Sequence, residues 1–193
     1  MKIGIDLDNT IISYDEAFLS VAKKEGMIDK GFEGSKNDVK HLIHENYGEI
    51  EWQMLQGLVY GKYIHEATIF KGFKRFLWRC DFQGISVQII SHKTEYGHQD
   101  KERISLRKAA LDFLDKNELL NNSYGRIFKK ISFAATRDQK IEQINKESFD
   151  WFIDDLHEVI FHESMDDSIN KILFSEIMDF KKERVINLSH WDE

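Results

Sequence analysis

Asp6 and Asp8 stand one residue apart at the end of the apolar run Lys2-Ile3-Gly4-Ile5, with Asn9 and Thr10 directly after them. A run of this kind reads as a buried strand of a parallel sheet, and carboxylates at its carboxyl end carry charge that burial penalises unless a partner compensates it. A metal ion is the simplest partner; a strand that merely ends in a polar Asp-Asn turn is the plainer reading of the same residues. The pair also has a chemistry of its own. One carboxylate can attack a phosphoryl group and so divide a hydrolysis into two easier steps. A second can protonate the departing oxygen and then deprotonate water.

Three further polar groups follow apolar runs or open a helix. Ile85 to Ile90 is a good strand and ends in Ser91-His92-Lys93-Thr94. A weaker strand at 131–134 precedes Thr136-Arg137-Asp138-Gln139-Lys140 and an amphipathic segment with Ile141 and Ile144. Trp151-Phe152-Ile153 ends in Asp154-Asp155, and Ile172-Leu173-Phe174 is a candidate last strand. Ligands of open α/β sheets bind at the carboxyl edge, so Asp6, Asp8, Ser91, Asp154 and Asp155 can converge although the chain separates them.

The elements that must position these groups alternate between strand and helix patterns, which predicts an α/β fold with a mostly parallel, Rossmann-like sheet. Residues 14–66 read as helical. Ala17, Phe18 and Val21 share one face of a first helix; Ser35 caps a second, with Val39, Leu42 and Ile43 as its stripe; Trp52, Leu55, Val59 and Tyr63 continue in a third. Phe73, Phe76, Leu77 and Cys80 suggest another helix, and Ser105 opens one carrying Leu106, Ala110, Phe113 and Leu114. The tail from Val185 to Leu188 fits neither pattern clearly.

Composition narrows the function. At 193 residues the chain can bury one core with an insertion, and 41% hydrophobic with 32% charged residues is ordinary for a globular protein. No apolar stretch is long enough to cross a bilayer and no secretion signal is visible, so the expected location is the cytoplasm, with no membrane partner. A formal charge of −7 argues against nucleic-acid binding and in favour of a small ligand. The single cysteine, Cys80, fits a reducing compartment.

Asp6-Leu7-Asp8-Asn9-Thr10, Ser91 after a strand, Lys140 opening a helix and Asp154-Asp155 after another strand occur in an order that resembles the haloacid dehalogenase (HAD) superfamily. The first element is the most specific, since it matches that family's Asp-x-Asp-x-Thr signature. The resemblance implies an aspartyl-phosphate phosphatase with Asp6 as nucleophile and Asp8 as acid and base. It implies magnesium held by a carboxylate oxygen of Asp6, a main-chain oxygen of Asp8 and the carboxylate of Asp154, with Asp155 supporting that shell. Phosphate would be bound by Ser91, His92, Lys140 and the Asn9–Thr10 turn, with Lys130 and Arg137 as rivals of Lys140.

The resemblance further implies a core of residues 1–13 and 71–193 and a helical cap inserted at 14–70, which would set substrate size. The expected substrate is a small phosphorylated metabolite, a nucleotide or a sugar phosphate; the oligomeric state stays open. A phosphate-binding or regulatory module that keeps the fold without turnover is the alternative. The loop His92 to Asp100, dense in functional groups, is expected to read the leaving group.

Overall fold

The computed structural model describes residues 1–98, 100–120, 128–176 and 184–192. The chain runs β1 (Lys2–Ile5), β2 (Ile12–Ser13), α1 (Asp15–Lys24), α2 (Lys36–Asn46), α3 (Glu49–Tyr60), a 3₁₀ turn (Ile64–Glu66), β3 (Thr68–Ile69), α4 (Phe73–Phe82) and β4 (Ser86–His92). It continues through α5 (Leu106–Lys116), β5 (Phe128–Ala134), α6 (Arg137–Glu147), β6 (Trp151–Asp154), α7 (His157–Ile160), β7 (Asn170–Phe174) and β8 (Val185–Leu188). Two compact units share these elements. One comprises Met1–Ile12, Ile69–Lys93 and Asn117–Glu193; the other comprises Ser13–Thr68 and Thr94–Lys116.

The first unit is built on a six-stranded sheet of order β5-β4-β1-β6-β7-β8 in which every pairing is parallel. Its central strands β1 and β6 are short and mostly buried, as strands of a parallel sheet covered by helices must be. Ile90 of β4, Ile141 and Ile144 of α6, Phe152 of β6, Val159 and Ile160 of α7 and Leu173 of β7 form one buried cluster. Gly4 keeps β1 against that packing: a Cβ there would fall 2.6 Å from Cδ2 of Phe152 and 2.8 Å from Cε2 of Phe149. The carboxyl-terminal segment belongs to this unit. β8 extends the sheet beside β7, and Trp191 packs on Phe73, Phe76 and Phe174 while its indole N–H donates to the Thr10 carbonyl at 2.9 Å.

The second unit is helical. Ser35 caps α2 through a reciprocal box with Asp38, two residue types that satisfy the free amides of a first turn. Phe18 of α1 stacks on Trp52 of α3 with ring centroids 5.0 Å apart. The segment after β4 joins this unit rather than the sheet: α5 buries Leu106, Ala110, Phe113 and Leu114 and packs on α3 and the 3₁₀ turn. The helical unit therefore holds residues 94–116 in addition to the inserted stretch between the first strands, where the sequence pattern suggests an insertion of 14–70 alone.

Candidate active site

Asp6, Asp8, Thr10, Ser91, Lys93, Lys140 and Asp154 all lie in the sheet unit. Asp6 follows the last residue of β1, and its amide donates to the Ile153 carbonyl at 2.9 Å, which continues the β1–β6 ladder one step. Asp154 closes β6 on the neighbouring strand and is fully buried; Asp6 is 4% exposed. Adjacent carboxylates in so dry a place need a cation, and α6 provides one. Lys140, 1% exposed, puts its ammonium 2.5 Å from Asp6 Oδ1 and 2.6 Å from Asp154 Oδ2. The helix is aimed by its start: the Thr136 hydroxyl accepts from the Gln139 amide, and the Gln139 side chain accepts from the Ala135 amide. Asp154 Oδ1 accepts from the Leu156 amide at 3.0 Å, so both of its oxygens are held.

Burial pushes the Asp6 carboxyl up to about 7; Lys140 opposes this, and the charges of Asp154 and Asp8 reinforce it. Burial works against the charge on Lys140, but Asp154 and Asp6 outweigh it and hold the ammonium above its usual range. Asp8 is partly exposed, and its Oδ2 lies 2.7 Å from the ammonium of Lys93, a residue only 3% exposed. Three carboxylates thus face two ammonium groups, leaving the cluster one negative charge in excess when all are ionised.

The turn after β1 is tight. The Ile11 and Ile12 amides both donate to the Leu7 carbonyl, the Asn9 amide donates to Ile12, and Asn9 adopts a left-handed backbone with φ of 56°. Asn is among the few side chains that tolerate that region. The Asn9 amide is therefore engaged within the turn. Thr10 and Ser91 are buried, and Thr10 Oγ1 and Ser91 Oγ lack a hydrogen-bond partner among the described residues. A buried hydroxyl left without a partner costs free energy, and such groups at a sheet's carboxyl edge are suited to an oxyanion.

His92 falls elsewhere. It alternates outward between the buried Ser91 and Lys93, and its Nε2 lies 3.1 Å from the Ala135 carbonyl. Lys130 pairs with Glu147 and Arg137 is exposed, so of the three basic residues it is Lys140 that meets the carboxylates. Asp155 is partly buried at the end of β6, beside Asp154. The sequence places Lys93 in the polar loop expected to read the leaving group; the structure buries it at the end of β4 against Asp8. Its signal was the period-two alternation of β4, which puts Ser91 and Lys93 on one face.

Most of the polar loop belongs to the helical unit and is tied down by structure. Asp100 accepts from the amides of Glu102, Arg103 and Ile104, and Glu95 takes the Ser105 hydroxyl and the Leu106 amide. Gly97 lies so near α3 that a Cβ on it would be 2.8 Å from the Gly57 Cα. Gln99 lies outside the described residues.

The donor set suits a hard divalent cation. Among the described residues no three His, Cys, Asp or Glu side chains form a group that could hold a metal. Magnesium does not require one, since it is bound by one or two carboxylates with water and other oxygens. Asp6 and Asp154, on adjacent strands and short of positive charge, together with the Asp8 main-chain oxygen, are the residues that would hold it.

No family model matches the sequence, and no curated protein matches it closely enough to count as a relative. Solved structures do match. A HAD-superfamily hydrolase from Ehrlichia chaffeensis aligns over 99% of this chain and 92% of its own, with a TM-score of 0.54 at 14% identity. A HAD-superfamily hydrolase of subfamily IA, variant 1, from Geobacter sulfurreducens aligns over 98% and 95%, with a TM-score of 0.57 at 10% identity. A hydrolase from Streptococcus pneumoniae aligns over 82% and 84%, with a TM-score of 0.52 at 13% identity. The fold of this chain is therefore that of the HAD-superfamily hydrolases.

Proposed function

We propose that the chain is a magnesium-dependent phosphomonoester hydrolase acting on a small phosphorylated metabolite, a nucleotide or a sugar phosphate. The observation that carries the reading is the burial of Asp6 against Lys140 and Asp154 at the carboxyl ends of adjacent strands. Perturbed, desolvated charges of this kind cluster at functional sites, which supports the reading.

Asp6 Oδ attacks phosphorus, a new P–O bond forms, and the bond to the ester oxygen breaks. Asp8 gives its proton to that oxygen, which leaves as an alcohol. Asp8 then takes a proton from water, the water oxygen attacks phosphorus, and the bond to Asp6 breaks to release inorganic phosphate. The ammonium of Lys140 draws charge from the reacting centre, while the Ser91 and Thr10 hydroxyls are the donors open to the phosphoryl oxygens. Magnesium, when bound, neutralises the cluster and polarises the phosphoryl group. No helix among the described residues is long and apolar enough to cross a membrane.

The test is phosphate release from a panel of nucleotides, sugar phosphates and small phosphorylated acids, with magnesium or with chelator, for the parent chain and Asp6→Asn. Magnesium-dependent release that vanishes in the variant is expected. Tight retention of a phosphate ester without release would replace the hydrolase with a binding module.

A further inference from the structure

We propose that Lys93 is the positioning residue of Asp8, holding the acid and base of the reaction in one orientation through a buried ion pair. The inference rests on the hydrolase reading above for the role of Asp8. Its own support is geometric.

Lys93 is 3% exposed, yet its ammonium lies 2.7 Å from Asp8 Oδ2, and Asp8 is the more exposed partner. Lysine usually keeps its ammonium in water, so a buried one needs a carboxylate and good geometry. The backbone fixes where that ammonium can reach. The Lys93 amide donates to the Ala134 carbonyl at 3.0 Å, one step beyond the parallel pairing of His92 with Ala134, so Lys93 extends β4 and is not on a loose loop. Asp8 lies beyond the end of β1, at an isolated parallel bridge to Ile12 where the chain enters its turn. The rigid strand thus supplies the cation and the turn supplies the carboxylate it holds.

The two lysines divide the work. Lys140 serves the nucleophile with Asp154, and Lys93 serves the carboxylate that transfers the proton. Proton transfer to a leaving oxygen depends on placement within hydrogen-bond reach, so a wandering Asp8 would slow the step without weakening substrate binding.

The experiment compares the parent, Lys93→Met, Lys93→Arg, Asp8→Asn and the double variant Lys93→Met with Asp8→Asn, on an alkyl phosphate such as glycerol 2-phosphate and on p-nitrophenyl phosphate. An alkoxide needs a proton to leave; a nitrophenolate does not. Lys93→Met should slow the first release of alcohol in a single turnover by about 100-fold with substrate affinity nearly unchanged, and slow the first release of nitrophenolate far less. The later attack of water, in which Asp8 is the base, should slow equally for both esters. Lys93→Arg should recover part of the loss, and the double variant should be no worse than Asp8→Asn alone. Equal slowing of that first release on both esters, or additive losses in the double variant, would overturn the proposal.

Crystal structures of the parent and Lys93→Met provide a readout that does not need turnover. A displaced or multiply placed Asp8 is expected, and an unmoved one contradicts the inference. Lys93→Gln takes the same tests if the Met variant does not fold. Should the parent release no phosphate from any ester, the hydrolase reading fails, while the placement of Asp8 in the two crystal structures still decides the role of Lys93.

Discussion

Helix α6 carries two charge triads that are near mirror images. Toward its start, Lys140 lies between the carboxylates of Asp6 and Asp154; at its end, Glu147 lies between the ammonium groups of Lys2 and Lys130, each 2.7 Å away. Distances and partner numbers are alike, and water separates the two cases. Lys140 and Asp154 are essentially sealed, whereas the side chains of Lys130 and Lys2 are 55% and 28% exposed. Hydrogen bonds from Lys130 and Lys2 hold the Glu147 carboxyl down at about 2, while burial drives the Asp6 carboxyl up to about 7. The same ion-pair chemistry thus favours charge at the surface and strains it inside. The outer triad fastens the helix end to the sheet, since Lys2 also donates to the Glu147 carbonyl. The inner one is sealed at the carboxyl edge of the sheet, where the proposed chemistry would take place.

The comparison breaks most readily at Lys140. Lys140→Met leaves two buried carboxylates without their cation and should cost about 3–5 kcal/mol in urea denaturation; a cost below about 1 kcal/mol would mean that the inner triad behaves like a surface pair. Removing the charges together should be milder. The triple variant Asp6→Asn, Lys140→Met, Asp154→Asn should regain most of that loss, because an uncharged cluster of similar shape has no desolvation penalty to meet, yet it should have no activity.

The pH dependence separates the triads by sign. Asp6 binds its proton more tightly in the folded chain than when unfolded, so its contribution is present below about pH 4 and is lost as the pH rises toward about 7. Glu147 has its folded value depressed, so its contribution is present above about pH 4.5 and is lost as the pH falls toward about 2. Melting temperature recorded against pH in chelator should lose its downward slope between pH 4 and 7 in Asp6→Asn, and its acid-side fall should soften in Glu147→Gln. Smallest of all is the neutral-pH effect of Glu147→Gln, about 1 kcal/mol or less and further reduced by salt.

Much of this was legible in the chain. The strands that carry Asp6, Ser91 and Asp154 announce themselves as short apolar runs ending in polar groups, and Ser35 marks a helix start by its capping chemistry; the sequence pattern opens α6 at Lys140, whereas the Thr136 cap starts it at Arg137. Other features depend on contacts that spacing does not encode. β8 has no clean alternation, with Val185, Asn187 and Leu188 half-buried and Ile186 exposed, so only its pairing with β7 defines it. The loop after β4 is dense in His, Lys, Tyr and Asp, and its Asp100 and Glu95 satisfy backbone and hydroxyl donors, a use of carboxylates that composition alone does not separate from ligand binding. Lys93 was hidden for the opposite reason. A lysine near a strand end reads as solvated, and only continuing the β4 alternation one residue further puts it inside.

The central claim is that Asp6 is the nucleophile, and the most direct measurement is a single turnover with the preferred phosphate ester in magnesium, quenched in acid and followed by peptide mass analysis. The account predicts a transient phosphoryl group on the peptide containing Asp6, absent from Asp6→Asn. Full phosphate release with no phosphorylated peptide at any quench time, or a phosphoryl group on another residue, would contradict it.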